Sequence, residues 1–397
     1  MNRRSPRFVR AGAVSIALAS TFFVAGSEAS DCSRTSVGLT PISDLGTGLY
    51  LGRYEGGLYP NGSNIVPAAH DMAGRARGLA VQPLAPDGTP SPNGKYVLLS
   101  IGMSNTTQEF CCHPTTFMGR AAADADVNHS TLVIANGAAG GQTAGTWDSP
   151  TDANYNRVRD QVLTPLGVTE AQVQVAWVKV ANANPTVSLP SAGADAFTLV
   201  GQMGNIVRAL KVRYPHLQQV FFSSRIYAGY ASTTLNPEPY AYESGFAVKW
   251  LIAAQISQMA GGPVDPLAGD LNINTVAPWV AWGPYLWADG LMARSDGLTW
   301  ACADLEADGT HPSTSGEGKV GLMLLNFFLD SQFTGVWFRA GTPCRADFNH
   351  NGVVNSQDFF QFVQAFFMRN PAADFNGDGT IGSQDFFDFL NAFFAGC

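Results

Sequence analysis

Two stretches far apart in the chain, Gly102-Met103-Ser104-Asn105 and Asp308-Gly309-Thr310-His311-Pro312, hold the residue types that nucleophilic acyl transfer needs. A serine hydroxyl is a poor nucleophile until an imidazole takes its proton, and a carboxylate must orient that imidazole and stabilise its cation. Asp308, three residues before His311 in a tight turn, delivers both groups together. The tetrahedral oxyanion then needs donors. The Ser104 backbone N–H is one. A glycine N–H in Asn136-Gly137-Ala138-Ala139-Gly140-Gly141-Gln142-Thr143, where no side chain blocks approach, is a second. An amide side chain in Ala181-Asn182-Ala183-Asn184 is the third, Asn182 or Asn184. Taken singly, each stretch also has a structural reading: Ser104 as a helix cap, Asp308 to Pro312 as a turn, Gly140-Gly141 as a loop.

A second chemistry stands at the end of the chain. DFNHNGVVNSQDFFQFVQAFF begins at Asp347 and DFNGDGTIGSQDFFDFLNAFF at Asp374, a repeat of 27 residues. Each copy carries oxygen-bearing side chains at alternate positions, glycine at the sixth and aspartate at the twelfth, the pattern of a Ca²⁺ loop. A hard divalent cation takes six to eight oxygens, and alternate positions of a tight loop point inward. The first set is Asp347, Asn349, Asn351, the Val353 carbonyl and Asp358. The second is Asp374, Asn376, Asp378, the Thr380 carbonyl and Asp385, with Gly352 and Gly379 at the sharp turns. The aromatic runs that follow, Phe359 to Phe367 and Phe386 to Phe394, have helical spacing and read as the core of a small unit, with an edge free to face a partner.

The elements that must position the acyl-transfer residues follow from hydrophobic patterning. Strands are predicted at 95–102, 131–136, 173–181, 218–226 and 277–283, and helices near 153–165, 197–213, 241–260 and 315–330. Strand and helix in series imply a parallel sheet covered on both faces. Sites in such sheets lie beyond the carboxyl ends of the strands, where Ser104, the glycine run and Asn182 all fall.

The order of these blocks resembles the SGNH (GDSL-like) hydrolase superfamily over most of residues 95–330. G-M-S-N matches the first block, N-G-A-A-G-G-Q-T the second and D-G-T-H-P the last. The third block departs from the family's G-x-N-D, since Trp177-Val178-Lys179-Val180-Ala181 runs straight into Asn182. The resemblance implies a three-layer α/β/α fold, flavodoxin-like in class, with Ser104, His311 and Asp308 as the triad and, at the oxyanion, Gly141 with Gly137 in reserve and Asn182 with Asn184 as its competitor. The close match of G-M-S-N to the G-Q-S-N of carbohydrate acetylesterases implies an acetyl ester on a polysaccharide. Twelfth-position aspartates make the tail resemble a dockerin module, which implies a small all-α domain with two structural Ca²⁺ ions and a cohesin-type receptor or cell-surface structure as partner.

The expected organisation is a leader at 1–29, a catalytic domain with an N-terminal extension at 30–343, and the tail at 344–397. Arg3, Arg4, Arg7 and Arg10 precede an apolar run and a small-residue cleavage site, the layout of a secretory signal peptide. Export, by the general or the twin-arginine route, makes the protein extracellular or surface-attached. Cleavage removes four arginines and one glutamate, so eight net negative charges become eleven. Nucleic-acid binding, which needs clustered Lys and Arg, is disfavoured, and no later segment is apolar enough to span a membrane. Six cysteines allow up to three disulfides, with Cys344–Cys397 closing the tail and Cys111 or Cys112 bonding to Cys302 as candidates. Lys179 is read as an oxyanion-side charge or as a solvent-facing or ion-paired lysine, and His70 and His113 as loop imidazoles. Tyr230, Tyr240, Tyr242, Trp282, Tyr285 and Trp287 could line a glycan cleft. Two alternatives stand beside the esterase: a glycosidase using Glu238 and Glu243, and a non-catalytic surface-attached protein on a hydrolase-like fold.

Overall fold

The computed structural model describes residues 29–341, 344–349, 353–376 and 379–395; of the expected leader, residues 1–28 lie outside this set. An N-terminal extension contributes α1 (Ile42–Leu45), a hairpin of β1 (Leu49–Tyr50) and β2 (Tyr54–Glu55), and α2 (Ala68–Leu79). The body then runs β3 (Tyr96–Gly102), α3 (Ser104–Phe110), α4 (Phe117–Ala123), β4 (Leu132–Asn136), α5 (Ala153–Val158) and β5 (Val173–Lys179). It continues through α6 (Asp195–Arg213), β6 (Gln219–Phe222), α7 (Tyr240–Met259), β7 (Trp279–Trp282), α8 (Thr314–Asp330) and α9 (Gly335–Phe338).

Every residue of β3 and β5 is buried, as near-continuous apolar strands require when both faces are covered. The five strands β3 to β7 pair in the order β4-β3-β5-β6-β7, all parallel. Right-handed crossovers put α5, α6 and α7 on one face and α3, α4 and α8 on the other. Accordingly α6 packs along α7, while α3 and α4 pack against α8. The result is a three-layer α/β/α body. The chain steps from β3 outward to β4 and then back across to β5, so the direction reverses between β3 and β5. Their carboxyl ends form the crevice where such sheets hold ligands.

Expected and observed elements agree in kind and differ at their ends. The strand expected at 218–226 stops at Phe222, where its pairing with β5 stops at Val178, and the following serines take other bonds: Ser223 Oγ accepts from Trp177 and Ser224 Oγ from the Leu286 N–H. The helix expected at 153–165 is α up to Val158 and then widens into a π turn over Arg159–Leu163.

The cysteine expectations need correction. Cys302 bonds Cys32, not Cys111 or Cys112, and those two adjacent cysteines bond each other. The Cys32–Cys302 bridge fastens the N-terminal extension to the segment leading into the His311 turn. The extension is held again where Asp289 accepts from Ser36 Oγ and from the N–H groups of Val37 and Gly38.

The tail carries α10 (Ser356–Phe367) and α11 (Ser383–Ala395) on a hydrophobic cluster of its own. Phe362 and Phe389, equivalent positions of the two repeats, stack at 3.9 Å and an interplanar angle of 5°. Phe360, Phe367, Phe387 and Phe394 stay largely exposed. Cys397, one end of the expected tail disulfide, lies outside the described residues. Among the described residues no helix is long and apolar enough to cross a membrane.

Candidate active site

Ser104 is the first residue of α3, immediately after β3. The connection is sharp and needs a glycine. Gly102 has φ +153°, and a Cβ there would lie 2.2 Å from the Lys179 carbonyl and 2.4 Å from Thr106 Oγ1. Thr106 secures the start of the helix. Its Oγ1 accepts from the Met103 N–H at 3.2 Å and donates to the Lys179 carbonyl at 2.6 Å. At the first turn the Ser104 N–H has no intrahelical acceptor, so it is available to an anion.

His311 arrives from the loop before α8, 207 positions away, and its Nε2 lies 2.8 Å from Ser104 Oγ. Its Nδ1 lies 2.6 Å from Asp308 Oδ2. The other carboxylate oxygen, Oδ1, accepts the N–H groups of Thr310 at 2.9 Å and His311 at 3.0 Å. Burial alone would raise the Asp308 carboxyl, but the hydrogen bonds from His311 and Thr310 outweigh it and hold the group below the usual carboxylate range. Asp308 therefore stays ionised and fixes the imidazole with Nδ1 protonated and Nε2 facing the serine. Gly309, at φ +63°, makes the turn possible, and a Cβ there would strike the Tyr230 carbonyl at 2.1 Å.

The expected oxyanion donors sit on two loops at the same rim. Residues 137–143 are stitched to β3 by the Ala139 N–H on the Gly102 carbonyl at 3.1 Å. Gly141 lies exposed on that loop at φ +75° with open space around it. Gly137 is packed instead: a Cβ there would meet the Ser100 carbonyl at 2.6 Å, and its own carbonyl accepts from Arg157. Asn182 is buried and its Nδ2 donates to the Asp195 carbonyl at 2.6 Å. Asn184 is exposed at φ +46° and accepts from Thr234 Oγ1 at 3.2 Å.

Lys179 is not an oxyanion-side charge. Fully buried at the end of β5, its ammonium bonds both carboxylate oxygens of Glu109 on α3, which is equally buried. The pair pins the nucleophile's helix to the sheet. Burial drives the Glu109 carboxyl up and the Lys179 ammonium down. Arg225, also buried, lies beside Met103 with Nη1 3.9 Å from Sδ.

The other chemical readings lose their geometry. Tyr230, Tyr242, Trp282, Tyr285 and Trp287 are packed in the core at 5% exposure or less, so they offer no sugar platform, whereas Tyr240, at the start of α7, is half-buried. Glu238 accepts from the Ala228 N–H, the Tyr242 N–H and Trp287 Nε1. Glu243 accepts from Tyr50 Oη and the Leu189 N–H. Both carboxylates are thus engaged as acceptors for the fold. His70 is buried with Nε2 on the Val280 carbonyl, and burial pushes its pKa down to about 4.

In the tail, the twelfth-position aspartates organise each loop. Asp358, fully buried, accepts the N–H groups of Asn349 and Asn355. Asp385 does the same for Asn376 and Gly382. Asp347 and Asn349 are buried beside Asp358. Such a set of hard oxygen donors fits a hard divalent cation. Asn351, Gly352 and Asp378 lie outside the described residues, and among those described no three His, Cys, Asp or Glu side chains form a metal cluster. Of the other expected ligands, Asp374 Oδ2 accepts the Gly379 N–H at 2.8 Å and Val353 is exposed.

Sequence reasoning missed Asn105, Glu109 and Arg225. Glu109 had a signal: it lies one turn beyond Thr106 on the inner face of a short helix that must pack on the sheet.

No family model matches the chain, and no curated protein matches it. Solved structures overlap it partially. A family two carbohydrate esterase from Clostridium thermocellum is 15% identical over 61% of this chain and 65% of its own, at a TM-score of 0.32. An extracellular lipase from Streptomyces rimosus is 14% identical over 58% and 98%, at 0.30. The Bacillus subtilis protein YxiM is 12% identical over 60% and 58%, at 0.32, so the chain spans little more than half of that protein's length.

Proposed function

We propose that this protein is a secreted serine esterase. The observation that carries the reading is the unbroken chain of hydrogen bonds from Ser104 Oγ through His311 to Asp308, built from segments more than two hundred residues apart. Ser104 attacks the ester carbonyl as His311 Nε2 takes its proton. The Asp308 carboxylate stabilises the imidazolium that results. The Ser104 N–H, with Gly141 and Asn182 as further donors, receives the oxyanion. Collapse of the intermediate passes the proton from His311 to the leaving alcohol and leaves an acyl-serine, which water hydrolyses by the same route.

The substrate we propose is an acetyl ester on a carbohydrate, on the strength of the G-M-S-N block. The tail we read as a dockerin-like anchor holding two Ca²⁺ ions, with exposed phenylalanines facing a receptor. The ions would be bound by the oxygens of the two loops and would supply structure, not chemistry.

The test is hydrolysis of p-nitrophenyl acetate and of acetylated polysaccharide by the purified chain and by Ser104→Ala. Acetate release by the wild type and a loss of at least about 10³-fold in the variant are expected. Equal rates would end the esterase reading and favour the non-catalytic alternative. New reducing ends without acetate would favour a glycosidase.

A further inference from the structure

The turn that carries His311 is a small rigid body. Asp308 bonds the side chain and the N–H of His311 and the N–H of Thr310, and Gly309 closes the corner. The reactive distance therefore depends on how the turn as a whole is tied to its surroundings. Most ties lead away from the nucleophile. The Ser232 N–H donates to the Asp308 carbonyl at 3.2 Å, Thr310 Oγ1 meets Thr233 Oγ1 at 2.7 Å, and the Glu306 N–H donates to the His311 carbonyl at 2.8 Å. One tie leads to the nucleophile's own helix: Asn105 Nδ2 donates to the Thr310 carbonyl at 2.9 Å, across 205 positions of sequence. Asn105 is the neighbour of Ser104, and Thr310 is the neighbour of His311.

We infer that Asn105 is the positioning residue that holds His311 Nε2 within proton-transfer distance of Ser104 Oγ, acting through the Thr310 carbonyl. Both residues are 1% exposed, so water cannot replace the bond. The side chain's other polar atom, Oδ1, is buried without a protein partner. Packing therefore does not satisfy this amide; its donor end is the part in use. An apolar residue of the same volume would fill the space and leave the Thr310 carbonyl unpaired, freeing the turn to drift from α3.

This inference rests on the esterase reading for its kinetic arm and on geometry alone for its structural arm. Asn105→Ala is expected to lower kcat on p-nitrophenyl acetate by about 30- to 100-fold with KM changed less than about threefold, the effect of a shift on the order of 1 Å. Asn105→Leu keeps the volume and removes the donor, so it should fall as far. A packing role would leave it near wild type. Thr233→Val cuts a tie of the same turn that does not reach α3, and its kcat should stay within about threefold of wild type. In crystal structures the Ser104–His311 contact, 2.8 Å here, should open past hydrogen-bonding range in Asn105→Ala and persist in Thr233→Val. Should Asn105→Ala fail to fold, Asn105→Ser carries the same test with a hydroxyl too short to span the gap. An unchanged contact in the Asn105 variant, or equal losses in Asn105→Ala and Thr233→Val, overturns the inference. A wild type without turnover removes the esterase reading, and the distance measurement still decides this one.

Discussion

Replacing Lys179 by methionine removes the cation from a pair that water does not reach, since both Lys179 and Glu109 are fully buried. At an effective dielectric near 20, two charges about 4 Å apart interact by about 4 kcal/mol, and breaking a buried pair typically costs about 3–5 kcal/mol. Arg225 also acts favourably on the Glu109 charge, which places the expected loss toward the lower end of that range. The loss must depend on pH. Without its partner the Glu109 carboxyl, already raised by burial, rises further. A carboxyl with a raised folded pKa contributes its stability below the unfolded value and loses it as pH climbs toward the folded one. Urea unfolding of Lys179→Met should therefore show a small deficit near pH 5 and the full deficit near pH 8. Glu109→Leu added to Lys179→Met should recover most of the loss, because the orphaned charge is then gone. A single variant within about 1 kcal/mol of wild type at pH 8, or a double variant no better than the single, would refute the pairing argument.

Glu243 offers a second pH test. Burial raises its carboxyl to about 7, so its stabilisation is complete below about pH 4.3 and lost as pH rises through 7. Glu243→Gln should match wild type in urea at pH 5 and exceed it at pH 8 by roughly 2–3 kcal/mol; parallel curves would remove that cause. For the tail, chelation should lower helix content in circular dichroism and Ca²⁺ should restore it, while acetyl-ester turnover by the body stays the same. Loss of turnover on chelation would show that the ions reach the chemistry.

Much of the body was legible because its signals are local. Apolar runs such as YVLLSIG and VQVAWVK name buried strands, and the residues after each run fall at the sheet's rim by the rules of parallel topology. Ser104, Asp308 and His311 could be proposed from their place in that order. What stayed hidden depends on contacts between distant segments. Nothing in the residues around Lys179 shows that Glu109 lies against it, because the two meet only when α3 folds back over β5. Tyr230, Tyr242, Trp282, Tyr285 and Trp287 misled for the same reason. Flat rings between loop residues look like a sugar site until they pack on one another, as Trp287 does on Tyr227 and Tyr242, and Trp282 on Tyr285. Asn182 illustrates a third limit: its amide type suggests an oxyanion donor, but sequence does not show that its Nδ2 donates to the Asp195 carbonyl.

These hidden contacts share one location. At the carboxyl end of the sheet Glu109, Lys179, Asn105, Thr106 and Arg225 are all buried. Buried polar groups are costly unless partnered, so a fold governed by stability alone would favour hydrocarbon there. Their partners explain the arrangement. Thr106 fixes the start of α3, Glu109 fixes its end against Lys179, and Asn105 ties it to the His311 turn. Each bond constrains a different degree of freedom of the short helix that begins with Ser104. Directional bonds can hold a hydroxyl and an imidazole 2.8 Å apart more narrowly than non-directional apolar packing can. The polar interior at this rim is therefore best understood as the support of the reactive pair. It also follows that variants of these residues should impair turnover beyond what their loss of stability alone would cause.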